Sequence, residues 1–236
     1  IPTIHGQVMA FDAETGETLF ILDGPTVTGR RTAAMSMLGI LTFAPARPRE
    51  FLLIGTGTQA ANHLEAIGEL FPDARVWVKG SAPARAAAFC AAHRAQGAAG
   101  GKVRDLQPLA DPDAAIPASI DVVIALTTSK QAVYDEAARP NRLVIGVGAF
   151  TPAMVEIGAR TIEGSALFVD DEAGARHEAG DFIQAGVDWA RVGGIAAVVA
   201  NAALLPAEQA IVFKSVGCAA WDLAACRVAR EALSGG

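Results

Sequence analysis

Four consecutive apolar residues, Phe51-Leu52-Leu53-Ile54, run straight into Gly55-Thr56-Gly57, and a segment with Ala60, Ala61, Leu64, Ile67 and Leu70 on one face follows at once. An unbroken apolar run of strand length suits a strand covered on both faces, and a helix directly behind it makes the crossover that a parallel neighbour requires. The pattern repeats through Arg75-Val76-Trp77-Val78, a helix from about Ala82 to Ala95, a strand near Val103, then Asp121 to Leu126, Leu143 to Val147 and Ala166 to Val169. Strands alternating with helices at this interval predict an α/β fold, a doubly wound parallel sheet with helices on both faces. Composition agrees: 6% aromatic residues is lean for an all-β sandwich, and 52% apolar residues suffices for a large core.

The two ends read differently. Ile4 to Leu22 alternates around Asp12-Ala13-Glu14-Thr15-Gly16, a hairpin signal with Gly at the left-handed turn position. After Asp23-Gly24-Pro25, Thr28 is the expected cap of a helix running through Arg31, Ala34 and Leu38 to about Leu41. Ala44 to Arg49, with two prolines, reads as a linker, and Ser215 to Leu233 reads as a helix with an apolar face. The chain opens on Ile1 in what reads as the inside of an element, so a fragment is expected.

A net charge of −6 with scattered basic residues lacks the electrostatic footprint of a nucleic-acid binder. The longest apolar stretch, around Gly194 to Leu205, is broken by Asn201, so neither a membrane span nor secretion is expected. Cys90, Cys218 and Cys226 form no CxxC pair and read as free thiols of a cytoplasmic protein. His5, His63, His93 and His177 never pair at helical spacing beside a carboxylate, so no metal site is expected.

Gly55-Thr56-Gly57-Thr58-Gln59-Ala60 stands between a buried strand and an amphipathic helix, the setting of a dinucleotide-binding turn. Gly55 permits the tight turn, Gly57 lets the backbone approach a pyrophosphate, and Ala60 lets the helix pack closely, with its N-terminus facing the phosphate charge. The next strand ends without the acid that would accept from a ribose 2′-hydroxyl. It offers instead Lys79, Ser81 and Arg85, a cation, a hydroxyl and a guanidinium suited to a 2′-phosphate. NADP(H) is therefore favoured over NAD(H).

Arg31 lies on an alanine-rich helix where a guanidinium requires an anion, either a substrate carboxylate or an internal Asp or Glu. Thr127-Thr128-Ser129-Lys130 follows a strand end, so the Thr127 region is a candidate wall of the nicotinamide pocket, with Lys130 well placed beside it. Asp170-Asp171-Glu172 is expected as a solvated loop or helix N-terminus without a catalytic role, and Asp222 as a structural hydrogen-bonding group.

Thr28 to Ala34, the Gly-Thr-Gly-Thr-Gln-Ala turn, Thr-Thr-Ser, and Phe213-Lys214-Ser215-Val216-Gly217 with Asp222 together resemble the ornithine cyclodeaminase/μ-crystallin family along the whole chain. That resemblance implies a Rossmann domain at 47–200 and a smaller α+β dimerisation and substrate lobe built from 1–46 and 201–236. It further implies a homodimer acting on a cyclic imino acid or amino acid. By the same resemblance Arg31 and Val216 bind substrate, while Thr3, Thr58, Gln59, Thr127, Val147 and Ser215 reach the cofactor. True cyclodeaminases carry an acid-base Asp where Phe150 stands here. The run from Val147 to Glu156 is similar instead to Δ1-pyrroline-2-carboxylate and Δ1-piperideine-2-carboxylate reductases of the family. The family's Lys ahead of its Thr-x-x-Arg-Thr motif has no counterpart, because no lysine precedes Lys79, which implies that an N-terminal portion is missing. Ketimine reduction is the expected activity. The alternatives are a cyclodeaminase or alanine-dehydrogenase-like reaction, and a non-catalytic μ-crystallin-like binder of NADPH.

Overall fold

The computed structural model describes residues 5–44, 46–95, 103–109, 116–201, 205 and 209–235. At the N-terminal end, β1 (Gln7–Phe11) and β2 (Thr18–Asp23) pair antiparallel, and the reversal between them uses Gly16 at φ +73°. Helix α1 (Gly24–Phe43) follows directly. Its cap is Asp23, not Thr28: Asp23 is extended and its carboxylate accepts from the Thr26 amide at 2.9 Å, while Pro25 fits the first turn, where no amide partner is needed. Arg31 thus sits two turns inside the helix.

Beyond the linker come β3 (Glu50–Ile54), α2 (Thr58–Leu70), β4 (Arg75–Lys79), α3 (Pro83–Ala95) and β5 (Asp105–Pro108), the last two residues past Val103. Then follow β6 (Val122–Ala125), β7 (Lys130–Tyr134), β8 (Leu143–Gly146), β9 (Val155–Ile157), α4 (Ala159–Glu163) and β10 (Ser165–Val169). Short helices α5 (Glu172–Glu178) and α6 (Gly180–Ala185) lead to β11 (Val192–Gly194), α7 (Ile195–Ala200), β12 (Ala210–Lys214) and α8 (Ala219–Ser234). The C-terminal helix therefore starts four residues later than Ser215. Eight strands form one parallel sheet in the order β11-β10-β12-β8-β6-β3-β4-β5, and β7 and β9 pair apart from it. The sheet thus takes a strand from 210–214, beyond the expected boundary at residue 200.

Alternation explains the core. Phe51 and Leu53 face one helical layer with Met37, Ile40 and Phe43 of α1, whereas Leu52 and Ile54 face the other layer with Phe182. Helix α1 lies so close to the sheet that a Cβ at Gly39 would stand 2.6 Å from the Phe213 ring. Strand β3 is flanked by β4 and β5 on one side and by β6 and β8 on the other. The crossovers leave it in opposite directions, and a crevice opens at the carboxyl ends of β3 and β6. Among the described residues no helix is long and apolar enough to cross a membrane.

Candidate active site

The crevice begins at the turn after β3. Gly55 adopts φ +128°, and its amide donates to the Lys79 carbonyl at 2.8 Å. A Cβ there would lie 2.8 Å from the Leu126 carbonyl oxygen, so the turn and the end of β6 touch through backbone alone. Gly57 caps α2 in extended backbone without a side-chain cap, and a Cβ on it would meet nothing within 4 Å. The first amides of α2 therefore face open space. Beside them Oε1 of Gln59 is buried with no hydrogen-bond partner among the described residues. Unpaired helix amides fit a pyrophosphate, to which the Gln59 amide nitrogen, though not its oxygen, can also donate. Lys79 ends β4, and Ser81 and Arg85 follow on the surface. None of their side chains has a partner among the described residues.

Beyond β6 and β8 the chain forms two loops that carry Thr127 and Val147. They meet so closely that a Cβ on Gly148 would fall 2.0 Å from the Thr127 carbonyl oxygen. Glu156, fully buried, ties them: one carboxylate oxygen accepts from the Thr127 amide, the other from the amides of Gly148 at 2.6 Å and Ala149 at 2.9 Å. Asp181 supports Glu156 by accepting from its amide and from that of Ile157 at 2.8 Å. Its other oxygen is 2.9 Å from Nζ of Lys214, and both side chains are wholly buried. Burial pushes the Glu156 carboxyl above its ordinary value, against the opposing pull of the Lys214 ammonium and the Thr127 amide.

The third wall is the turn after β12. Asp170 collects it: Oδ2 accepts from the Ser215 hydroxyl and the Gly217 amide, both at 2.8 Å, and Oδ1 from the Val216 amide at 3.0 Å. The expectation of a solvated Asp170 is corrected here, because three unpaired donors converge on it and hold it buried. Asp171 is the helix cap expected of this stretch, accepting from the Gly174 amide. Gly217, at φ +86°, brings the turn against Arg31: a Cβ there would lie 2.6 Å from Nη1. The Arg31 side chain is only 17% exposed and its Nε stands 3.4 Å from the Asp222 carboxylate, yet the guanidinium donates no hydrogen bond among the described residues. A desolvated guanidinium with unspent donors is prepared for a further carboxylate.

Under the glycine turn, α1 and α2 are joined by His63. Its Nδ1 lies 2.8 Å from the Gln59 carbonyl, which can only accept, so Nδ1 carries the proton and Nε2 accepts from the Ser36 hydroxyl at 2.8 Å. Burial lowers its pKa from 6.5 to about 4. The unfolded ring takes a proton at its ordinary value and the folded ring only near pH 4, so stability is complete above pH 6.5 and drains away as pH falls through that window. Urea midpoints between pH 7 and pH 4 should record a loss of about 3 kcal/mol, and His63→Gln should flatten that slope.

Gly55, at the head of the turn that leads to Gly57, Thr58 and Gln59, thus meets the ends of β4 and β6, and Arg31 meets Gly217 in the turn after β12 that Asp170 holds together with Ser215 and Val216. Lys130 is exposed on β7 and joins neither group. Thr3 lies outside the described residues. Asp181 and Lys214 were not foreseen as a pair. The available signal was a lysine closing an otherwise apolar strand.

Residues 1–236, the entire chain, match the Ornithine cyclodeaminase/mu-crystallin family. The chain is 60% identical over 233 residues to Delta(1)-pyrroline-2-carboxylate reductase 2 of Burkholderia ambifaria. It is 59% identical over 234 residues to the Delta(1)-pyrroline-2-carboxylate/Delta(1)-piperideine-2-carboxylate reductase of Azospirillum brasilense. Each comparison covers 99% of this chain and 72% of the relative. Among solved structures, Thermococcus litoralis Delta(1)-pyrroline-2-carboxylate reductase, in complex with NADH and L-proline, has a TM-score of 0.83 at 24% identity, over 100% of this chain and 74% of that one. A lysine cyclodeaminase has a TM-score of 0.84 at 26% identity, over 100% and 67%. A match that spans the chain from end to end, beside a parallel sheet whose central strand runs into the glycine turn, makes this chain a member of the ornithine cyclodeaminase/mu-crystallin family.

Proposed function

We propose that this protein reduces a cyclic ketimine carboxylate, Δ1-pyrroline-2-carboxylate or its six-membered homologue, to the cyclic amino acid. The observation that carries this reading is Arg31, whose largely buried guanidinium lies against Gly217 and donates no hydrogen bond among the described residues. It grips the substrate carboxylate, and Val216 lines the ring. Gly55 and Gly57 would leave room for the dinucleotide, Thr58 and Gln59 would hold its pyrophosphate, and Thr127, Val147 and Ser215 would flank its nicotinamide half. A bound nicotinamide supplies the hydride. Reduction of an imine protonated on nitrogen would need only hydride addition at C2, with the C=N π electrons becoming the nitrogen lone pair, so no group would have to leave. Phe150, 45% exposed beside the loop that Glu156 ties, can neither give nor take a proton. This fits a reduction better than an amine elimination. The names of the relatives above support the same chemistry.

The cofactor in this reading is NADP(H): Lys79, Ser81 and Arg85, whose side chains have no partner among the described residues, follow the end of β4 and support recognition of a 2′-phosphate. The ribbon β1–β2, α1 and α8 form a second lobe. Its exposed apolar face of Met9, Phe11, Leu19 and Ile21 suits docking of a second copy in a homodimer.

Full-length protein given NADPH and Δ1-pyrroline-2-carboxylate should consume cofactor one for one with proline formed. Ammonia released from ornithine, with the imine untouched, would overturn the reading. Lys79→Ala and Arg85→Ala should each lower kcat/KM for NADPH roughly tenfold while leaving NADH within about twofold. A wild type that strongly prefers NADH refutes the cofactor assignment.

A further inference from the structure

The group formed by Glu156, Asp181 and Lys214 has no place in the chemistry above, and it is expensive: two acids and one ammonium buried together. We propose that Glu156, set in place by Asp181 and Lys214, is a positioning residue for hydride transfer, holding the loops after β6 and β8 at the spacing the nicotinamide and the imine require. This rests on the reading that those loops flank the nicotinamide half.

The geometry is that of a staple. One carboxylate accepts from backbone amides of both loops, and Gly148 lets the two main chains meet directly. An amide side chain of the same shape presents an NH2 to one of those loops and so holds only one. Asp181 fixes the β9 backbone from which Glu156 projects, and a Cβ on Gly180 would lie 2.1 Å from the Met154 carbonyl, so α6 has no room to shift. Lys214 supplies the counter-charge. Its stem lies across Gly146 at the end of β8, where a Cβ would be 3.3 Å from its Cδ. The chain resumes from Lys214 as Ser215, whose amide donates to the Gly146 carbonyl at 2.9 Å. One charged group therefore couples the carboxyl ends of β6, β8 and β12. Among the described residues no hydrogen bond or ion pair joins it to the pyrophosphate turn or to Arg31, so binding and positioning are separable here.

The test is Glu156→Gln and Lys214→Met in the full-length protein, assayed beside wild type with active sites counted by bound cofactor. Each variant should lose roughly 10²-fold in kcat, while KM for the imine and Kd for NADPH stay within about threefold, since misplacement by about an ångström costs rate and not affinity. With 4-deuterated NADPH the isotope effect on kcat should rise as the hydride step becomes limiting. Folded variants that keep kcat within twofold and lose only Tm overturn the proposal. So does failure of both variants to fold, which assigns the group to folding alone. A wild type that leaves the imine unreduced refutes the reading of the reaction instead, which keeps the two failures apart.

Discussion

Replacing Arg31 with Met should lower kcat/KM for the ketimine carboxylate on the order of 10²- to 10³-fold while Tm stays nearly unchanged. Removing one partner from a desolvated, hydrogen-bonded charge pair costs about 2–5 kcal/mol, and here the pair forms only when the substrate carboxylate arrives. Before that, the guanidinium has the carboxylate of Asp222 3.4 Å from Nε and no hydrogen bond among the described residues, so the free protein has little to lose. Asp222 is 36% exposed and can rest in water once the cation is gone. Arg31→Lys should recover only part of the rate, because an ammonium keeps the charge without the two-pronged donor geometry. Affinity for NADPH should not change in either variant. An Arg31→Met enzyme within tenfold of wild type would place the carboxylate elsewhere.

Gly55 and Gly57 stand two residues apart, and alanine at each should produce opposite results. Gly55→Ala should destabilise the protein by about 3 kcal/mol, since φ +128° suits no L side chain and the new methyl would press on the Leu126 carbonyl, which β6 holds fixed. Gly57→Ala should cost under about 1 kcal/mol, because φ is −92° and a Cβ meets nothing. Its effect should fall on the cofactor: a methyl in the space where the pyrophosphate approaches should raise Kd for NADPH on the order of 10- to 10²-fold. Urea denaturation and quenching of cofactor fluorescence separate the two effects. An unchanged Kd in Gly57→Ala would mean that the dinucleotide does not cross that glycine.

The sheet was legible because its central strands are covered on both faces and so appear as uninterrupted apolar runs. Phe51 to Ile54 is the clearest case, with glycine and then a helical period behind it. Strands β7 and β11 were not legible. Lys130, Gln131 and Ala132 are exposed, and β11 contains two of its three residues as glycine. The start of α1 was misplaced because Asp23 and Thr28 can both cap. What decides is that the Asp23 carboxylate reaches Thr26 and that Pro25 needs no partner. Arg31 could be singled out from its alanine-rich surroundings, and the structure supplies both an acid beside it and free donors. The pairing of Lys214 with Asp181 was beyond reach: a lysine after four apolar residues reads as a strand end turning to water, and only the sheet order shows that α6 covers it. Asp170 was misjudged for the same reason, since its three donors come from the turn after β12, 45 to 47 residues further along the chain.

Strand β12 has one more effect, on the order in which the molecule can be assembled during synthesis. It follows every other described strand of the sheet in sequence yet lies between β10 and β8, so a nascent polypeptide that has emerged only as far as β11 lacks the strand that joins β10 and β11 to the rest of the sheet. The partial sheet β8-β6-β3-β4-β5, with its glycine turn, can form early on the ribosome. Lys214, Ser215 and Gly217 arrive with that strand, so the contacts they make with Asp181, Asp170 and Arg31 form only after β10 and β11 have been made.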